Sequence, residues 1–361
     1  MQTPINFEAF RRIHLVRSHT PKFMALAATL LAMVVAGCGG ASDEVSSGTA
    51  APKAAGGGTS TKLSLVGYSV AKQAYDEIIP AFNTTDACKG ITFSQSYGAS
   101  GDQSRKVESG FPADIVHFSL EPDITRLVKS GQVDDDWNSN EHKGVPFGSV
   151  VTIIVRKGNP KGIKTWDDLL KPGVEVVTPN PFSSGSAKWN LLAPYSEKSD
   201  GGKNPQAGLD YLEKLIGDHI KVQPKSGREA TETFTQGTGD ALLTYENEAL
   251  FDERNGEDVE HVTPDDTFKI ENPIAVVNTS KHAEQAKAFV DFLYTKEGQE
   301  AIAKAGFRPV DEAVTQEHAA DFPTPKKLWT IDDLGGWSKV NDELFDPDKG
   351  SVAKIYNEAT N

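Results

Sequence analysis

Cysteine is nearly absent. Only Cys38 and Cys88 occur among 361 residues, so no disulfide framework and no zinc-type cysteine pair is available. Positive charge is in deficit. Lys and Arg number 37 against 51 Asp and Glu, a formal net charge of −14. No basic stripe with interleaved aromatics interrupts that deficit, which excludes nucleic acid and an anionic membrane surface as charge-recognised partners. Histidines 117, 142, 219, 261, 282 and 318 lie in no metal or nucleophile motif, so neither a metal nor a cofactor is expected. Ser69 to Lys72 (SVAK) fits the Ser-x-x-Lys pattern of penicillin-recognising enzymes. The Ser-Asp-Asn and Lys-Thr-Gly partners are missing, and no Gly-x-Ser-x-Gly surrounds Ser184. A serine hydrolase is therefore only a remote alternative, and no enzyme is expected. Repeats of 20–50 residues are absent too.

What is present begins at the N-terminus. Arg11, Arg12, Arg17 and Lys22 precede the apolar run FMALAATLLAMVVAGC, which is short for a membrane span. Charged and apolar regions in that order read as a signal peptide over residues 1–37. Its end, Val35-Ala36-Gly37-Cys38, resembles the bacterial lipobox, which implies cleavage before Cys38 and lipidation of that cysteine. Cleavage there removes four Lys/Arg and one Glu, taking the net charge from −14 to −17. Residues 38–61, rich in Gly, Ala and Ser, read as a flexible tether with a reach of about 25–30 Å. The expected location is the extracytoplasmic face of a bacterial cell membrane, held by the lipid alone.

From Lys62 onward strand and helix signals alternate. KLSLVGY is a short strand. Ala71, Ala74, Tyr75, Ile78, Ile79 and Phe82 then recur at helical spacing. GSVVTIIVRKG is a continuous apolar run of the buried-strand type. Thr165 with Asp168 three residues on marks a helix start. The alternation predicts an α/β fold with largely parallel sheets.

Several strand exits share one chemistry. Ser69 follows the first strand, Ser96–Gly101 (SYGASG) another, Ser183–Ala187 (SSGSA) a third, and PKSGREA leads toward a helix near Glu229. A helix start offers backbone N–H groups without intrahelical partners and the positive end of a dipole. Gly and Ser let that backbone approach a ligand closely, and Ser adds a hydroxyl. This is the chemistry of an anion site, placed beyond the carboxyl ends of strands. Asp102 and Glu229 adjoin these loops and are read as outward-facing residues of the first helical turn.

The residues QSYGASGDQ, ADIV, VRKGNPKGIKTWDDLLKPGVEVVTPNPFSSGSAKWN, TFTQGTGDALLTYENEAL and EGQEAIAKAGFRPV resemble the sulfate-binding proteins of ABC-type sulfate/thiosulfate importers, over roughly Lys62 to the C-terminus. The resemblance implies a type II periplasmic binding protein: a two-lobed clamshell, each lobe a mainly parallel sheet flanked by helices. It divides the chain into 62–146 plus 246–310 as lobe I and 147–245 plus 311–361 as lobe II. It implies a monomer that captures sulfate between the lobes and delivers it to ABC permease subunits. Carried over residue by residue, the sulfate-binding groups fall on Ser69, Ser100, Ser184, Gly185, Ser186, Gly227 and Tyr245, with Arg228 behind them. Tyr245 stands where the family usually has Trp, Ser69 where it often has Asp, and Ser186 where it usually has a second Gly. Thiosulfate, molybdate and phosphate remain alternative ligands.

Overall fold

A computed structural model describes residues 60–360. The expected signal peptide, the lipidation site at Cys38 and most of the 38–61 tether lie outside the described residues. No helix among the described residues is long and apolar enough to cross a membrane.

The chain opens with β1 (Thr61–Tyr68). Leu63 and Leu65 enter one apolar core and Val66 another, so the strand is covered on both faces. Helix α1 (Lys72–Phe82) follows, burying Ala74, Tyr75, Ile78 and Phe82 as the periodicity requires. β2 (Ile91–Gly98) and β3 (Ile115–His117) lie on either side of β1, both parallel to it. They are linked by α2 (Ser100–Glu108), and α3 (Glu121–Lys129) packs beside α2. All three strands point their carboxyl ends the same way, which brings Ser69, Ser100 and the residues after His117 to one edge.

The apolar run read as a buried strand is β4 (Phe147–Arg156), buried from Phe147 to Val155. It anchors the larger sheet. In chain order come β5 (Val176–Val177), α4 (Gly185–Lys198), α5 (Pro205–Lys214), β6 (Ile220–Val222), α6 (Gly227–Thr235), β7 (Ala241–Tyr245), α7 (Glu246–Arg254), β8 (Val259–Val262) and β9 (Asp266–Asn272). β10 (Ile274–Val276) then pairs antiparallel with β3 and completes a four-stranded sheet. Helices Ala283–Phe292 and Lys296–Lys304 pack on that smaller sheet and on α1. β11 (Arg308–Pro309) returns to β4, and β12 (Lys327–Trp329) pairs with β9.

Two expectations are corrected here. The smaller sheet is mainly parallel, but the larger one is mixed. β5 is parallel to β6 and β7, whereas β4 runs antiparallel to β7, β8, β9 and β11. β8 and β9 form one path along β4, interrupted by Thr263-Pro264-Asp265, where proline has no N–H to give the ladder. Residues 246–310 therefore do not belong together with the smaller sheet. β8 and β9 stay on the larger sheet, and the chain returns only at β10.

Where the chain passes between the sheets, the buried side chain of Gln299 ties the crossings. Its Nε2 donates to the carbonyls of Pro146 (2.9 Å) and Leu293 (2.6 Å). Its Oε1 accepts from Val310 N (2.7 Å) and Asp311 N (3.1 Å). A buried amide with both ends satisfied fixes the geometry of these crossings.

Candidate functional site

The small residues at the strand exits meet. Ser184 stands immediately before α4, and Gly185 and Ser186 are its first residues. Ser184 Oγ does not cap its own helix but lies 2.7 Å from Ser186 Oγ. Gly227 opens α6, and a Cβ placed on it would sit 2.8 Å from Ser186 Oγ and 2.8 Å from Val70 of the smaller lobe. The next residue, Arg228, donates its N–H to Ser69 Oγ at 3.3 Å. The starts of α4 and α6 and the end of β1 thus share one small space.

A second cluster adjoins it. Ser100, the first residue of α2, donates its hydroxyl to Asp123 Oδ2 (2.6 Å) and accepts from Ser119 N (2.9 Å). Ser119 Oγ lies 2.7 Å from the hydroxyl of Tyr245. The Ser119 carbonyl accepts from the Trp189 indole (2.9 Å) and from Asn272 Nδ2 (3.2 Å). Gly185 joins the two clusters, because a Cβ there would stand 2.7 Å from Ser119 Oγ and 2.8 Å from Leu120. Only glycine permits α4 to lie this close to the smaller lobe. All seven residues expected at the site are therefore brought into one connected set, with Arg228 beside it.

No side chain caps the starts of α2, α4 or α7. α6 differs: Ser226 Oγ accepts from Glu229 N (3.3 Å), and Glu229 Oε2 accepts from Lys225 N (2.9 Å). Uncapped helix starts leave N–H groups available to an anion. The nearby cations are all engaged with protein groups. Arg228 Nη2 bonds Glu248 at 2.7 Å, Lys188 Nζ bonds Asn341 at 2.8 Å, Arg126 bonds Ser104 at 2.7 Å and Asp123 at 3.1 Å, and Arg105 pairs with Asp102. Burial pulls the Lys188 ammonium down to about 8. The space is lined by helix-start dipoles and hydroxyls, with the cations turned to protein partners.

The two carboxylates adjoining the loops behave as expected: Asp102 turns to Arg105, and Glu229 closes back on its own helix start. Lys72 pairs with Asp76 at 2.6 Å on the surface, so no Ser69–Lys72 dyad forms. Glu246 and Glu248 lie in the first turn of α7, and both are paired. Glu246 takes both arms of Arg308 (2.7 and 2.8 Å), and Glu248, fully buried, takes Arg228 and Thr231. Burial pushes the carboxyl of Glu248 and the phenol of Tyr245 upward.

Sequence reasoning missed Ser119, Asp123 and Trp189. Asp123 reads as a first-turn helix residue, and its place behind Ser100 depends on α2 packing against α3. The only local signal was a buried-type strand ending in Ser119 just before a helix, the same pattern that singled out Ser69.

Comparison with known proteins identifies the family. The family model for bacterial extracellular solute-binding proteins matches residues 63–308. A sulfate-binding protein of Synechococcus elongatus is 39% identical over 330 residues, 89% of this chain and 92% of that protein. A thiosulfate-binding protein of Pseudomonas aeruginosa is 34% identical over 303 residues, 81% of this chain and 91% of that one. Among solved structures, the sulfate-binding protein SubI from Mycobacterium tuberculosis H37Rv is 59% identical with a TM-score of 0.78, covering 79% of this chain and 100% of that chain. The two-lobed α/β architecture, the strand-exit site and these matches lead to one statement: the chain belongs to the bacterial extracellular solute-binding proteins.

Proposed function

We propose that this protein is an extracytoplasmic sulfate-binding protein that captures sulfate between its lobes and delivers it, as a monomer, to an ABC permease. The observation that carries the reading is the meeting of the uncapped starts of α2 and α4 with the start of α6, at a point where glycine lets the lobes touch. In this reading Ser69, Ser100, Ser184, Gly185, Ser186 and Gly227 supply N–H and hydroxyl donors. Tyr245 acts through Ser119 or directly. Closure is a rotation about the crossings near Pro146–Phe147, Asn272–Ile274 and Phe307–Arg308, and Gln299 links the first of these to Val310 and Asp311, just past the last. Cys38 carries the lipid that keeps the protein at the membrane.

Selectivity follows from proton count. Sulfate near neutral pH carries no proton and only accepts hydrogen bonds. Phosphate keeps a proton that needs an acceptor. Asp102 and Glu229 are turned to other partners, and Asp123 is spent on Ser100 and Arg126. A buried group without a partner costs about 1–3 kcal/mol, enough for roughly a hundredfold discrimination at its upper end. Thiosulfate brings the same charge and a similar shape, and is the second reading.

The test is calorimetric titration of the soluble form from Lys62 onward, stripped of ligand by unfolding and refolding, with sulfate, thiosulfate, molybdate and phosphate at one pH and salt. Sulfate binding with phosphate about a hundredfold weaker or more is the expected result. Preference for phosphate would overturn the donor-only cleft, and preference for thiosulfate would reassign the ligand.

A further inference from the structure

The start of α6 is wired to a second carboxyl that the sulfate site does not use. Glu248 and Asp252 lie four residues apart on α7, so their side chains share one face. Glu248 is fully buried and Asp252 is 4% exposed. Among the described residues they share one paired cation: Arg228 Nη2 reaches Glu248 Oε1 at 2.7 Å. Glu248 Oε2 accepts from Thr231 Oγ1 at 2.9 Å. Asp252 Oδ2 is buried and has no hydrogen-bond partner among the described residues. Arg228 is also the residue whose backbone N–H bonds Ser69 and whose neighbour Gly227 touches Ser186. One arginine therefore links the proposed anion site to a pair of buried carboxyls that it cannot neutralise together.

We infer that Arg228, Glu248 and Asp252 form a proton-linked relay, so that capture of an anion at the start of α6 is accompanied by uptake of a proton at Asp252. The inference rests on the sulfate-binding reading and adds regulation to that same site. The dianion draws on the field of the Arg228 guanidinium. The carboxyl pair then feels less of that positive charge, and the carboxyl with the unpartnered oxygen binds a proton from solvent more readily. Burial first, and the Glu248 charge second, already raise the Asp252 carboxyl to about 7, so the uptake falls in the physiological range.

The groups around Asp252 favour this assignment. Its own helix and the turn beyond supply Glu248, Glu253 and Glu257, all of which raise its proton affinity, while Arg228 of α6 alone lowers it. Glu232 of α6 adds negative charge beside Glu248. From β8, which packs on α7, His261 is taken by Glu253 at 2.8 Å. From β4, Arg156 is turned to the carbonyls of Phe234, Thr238 and Gly239. The β7 neighbour is Tyr245, which is neutral in this range.

The sign is fixed by linkage. A group that binds a proton on ligand capture makes affinity fall as pH rises through its free-state value. Sulfate affinity is expected to fall roughly three- to tenfold between pH 6 and pH 8.5. Calorimetry near pH 7 in two buffers of different ionisation enthalpy should show uptake of a fraction of a proton per sulfate, a readout that needs no variant. Asp252→Asn should bind sulfate with a flat pH profile and no buffer dependence. Binding of sulfate with no proton uptake, or an Asp252→Asn protein with the wild-type slope, would overturn the relay and leave the sulfate reading standing. Sulfate that fails to bind at any pH would sink both.

Discussion

The two walls of the cleft use the same residue types and wire them differently. On the smaller lobe, Ser100 is locked: its proton goes to Asp123, its oxygen accepts from Ser119 N, and Asp123 is held by Arg126. On the larger lobe, Ser184 and Ser186 face only each other, and Gly185 and Gly227 present bare backbone. One wall is a finished network before any ligand arrives. The other is a set of donors with spare capacity. A serine in a strand-exit motif therefore does not declare its role. What decides it is whether a carboxylate waits behind the hydroxyl, and here one does so on a single side.

The largest break in this comparison comes from Gly185. An alanine there puts a methyl carbon 2.7 Å from Ser119 Oγ and 2.8 Å from Leu120 Cγ, which neither can accept without moving apart. Overpacking of this kind costs about 1–3 kcal/mol, and the cost falls on the closed state alone if the lobes are apart without ligand. We expect Gly185→Ala to weaken sulfate binding roughly ten- to hundredfold while the ligand-free melting temperature stays put. An equal loss of melting temperature would show that the lobes already touch in the free protein.

Next in size is the serine pair. Ser100→Ala removes the partner of a buried carboxylate and strands the buried Ser119 N–H. Each of those losses is worth about 1–3 kcal/mol, so stability and affinity should fall together. Ser184→Ala removes one hydroxyl donor, and Ser186 can turn to replace part of it. Its expected cost is about tenfold in affinity, with little change in melting temperature. Titration and melting of the two variants side by side test the asymmetry. If Ser184→Ala melted earlier and Ser100→Ala did not, the assignment of the locked wall would be reversed.

The same contrast explains what the sequence disclosed. Periodicity and apolar runs located β1, α1 and β4, because each buries residues at its own regular spacing. The small residues of the larger wall were legible because Ser and Gly recur at several strand exits, although the same residues also serve as plain caps, as Ser226 does. The smaller wall was not, since Asp123 acquires its partner 23 residues away and Ser119 bonds Tyr245 126 residues away. Strand direction was also hidden. β4 is rich in apolar residues and buried from Phe147 to Val155, and nothing in such a run says that four neighbours oppose it. The roles of Glu246 and Glu248 escaped for the reason that hid Asp123: their cations, Arg308 and Arg228, lie 62 and 20 residues away.

Tyr245 sits between the two walls and gives the smallest effect and the finest test. Its hydroxyl is buried 2.7 Å from Ser119 Oγ, so in this structure it completes the locked wall. A neutral hydrogen bond of this type contributes about 0.5–1.5 kcal/mol. Tyr245→Phe keeps the ring in the core and frees Ser119 Oγ to find another partner. If the phenol acts through Ser119, affinity should drop only about two- to tenfold, and phosphate should remain as weak as before. A loss approaching a hundredfold would mean that the phenol itself donates to the anion. Ser119 would then hold Tyr245 in place, and the locked wall would extend across the cleft onto the larger lobe.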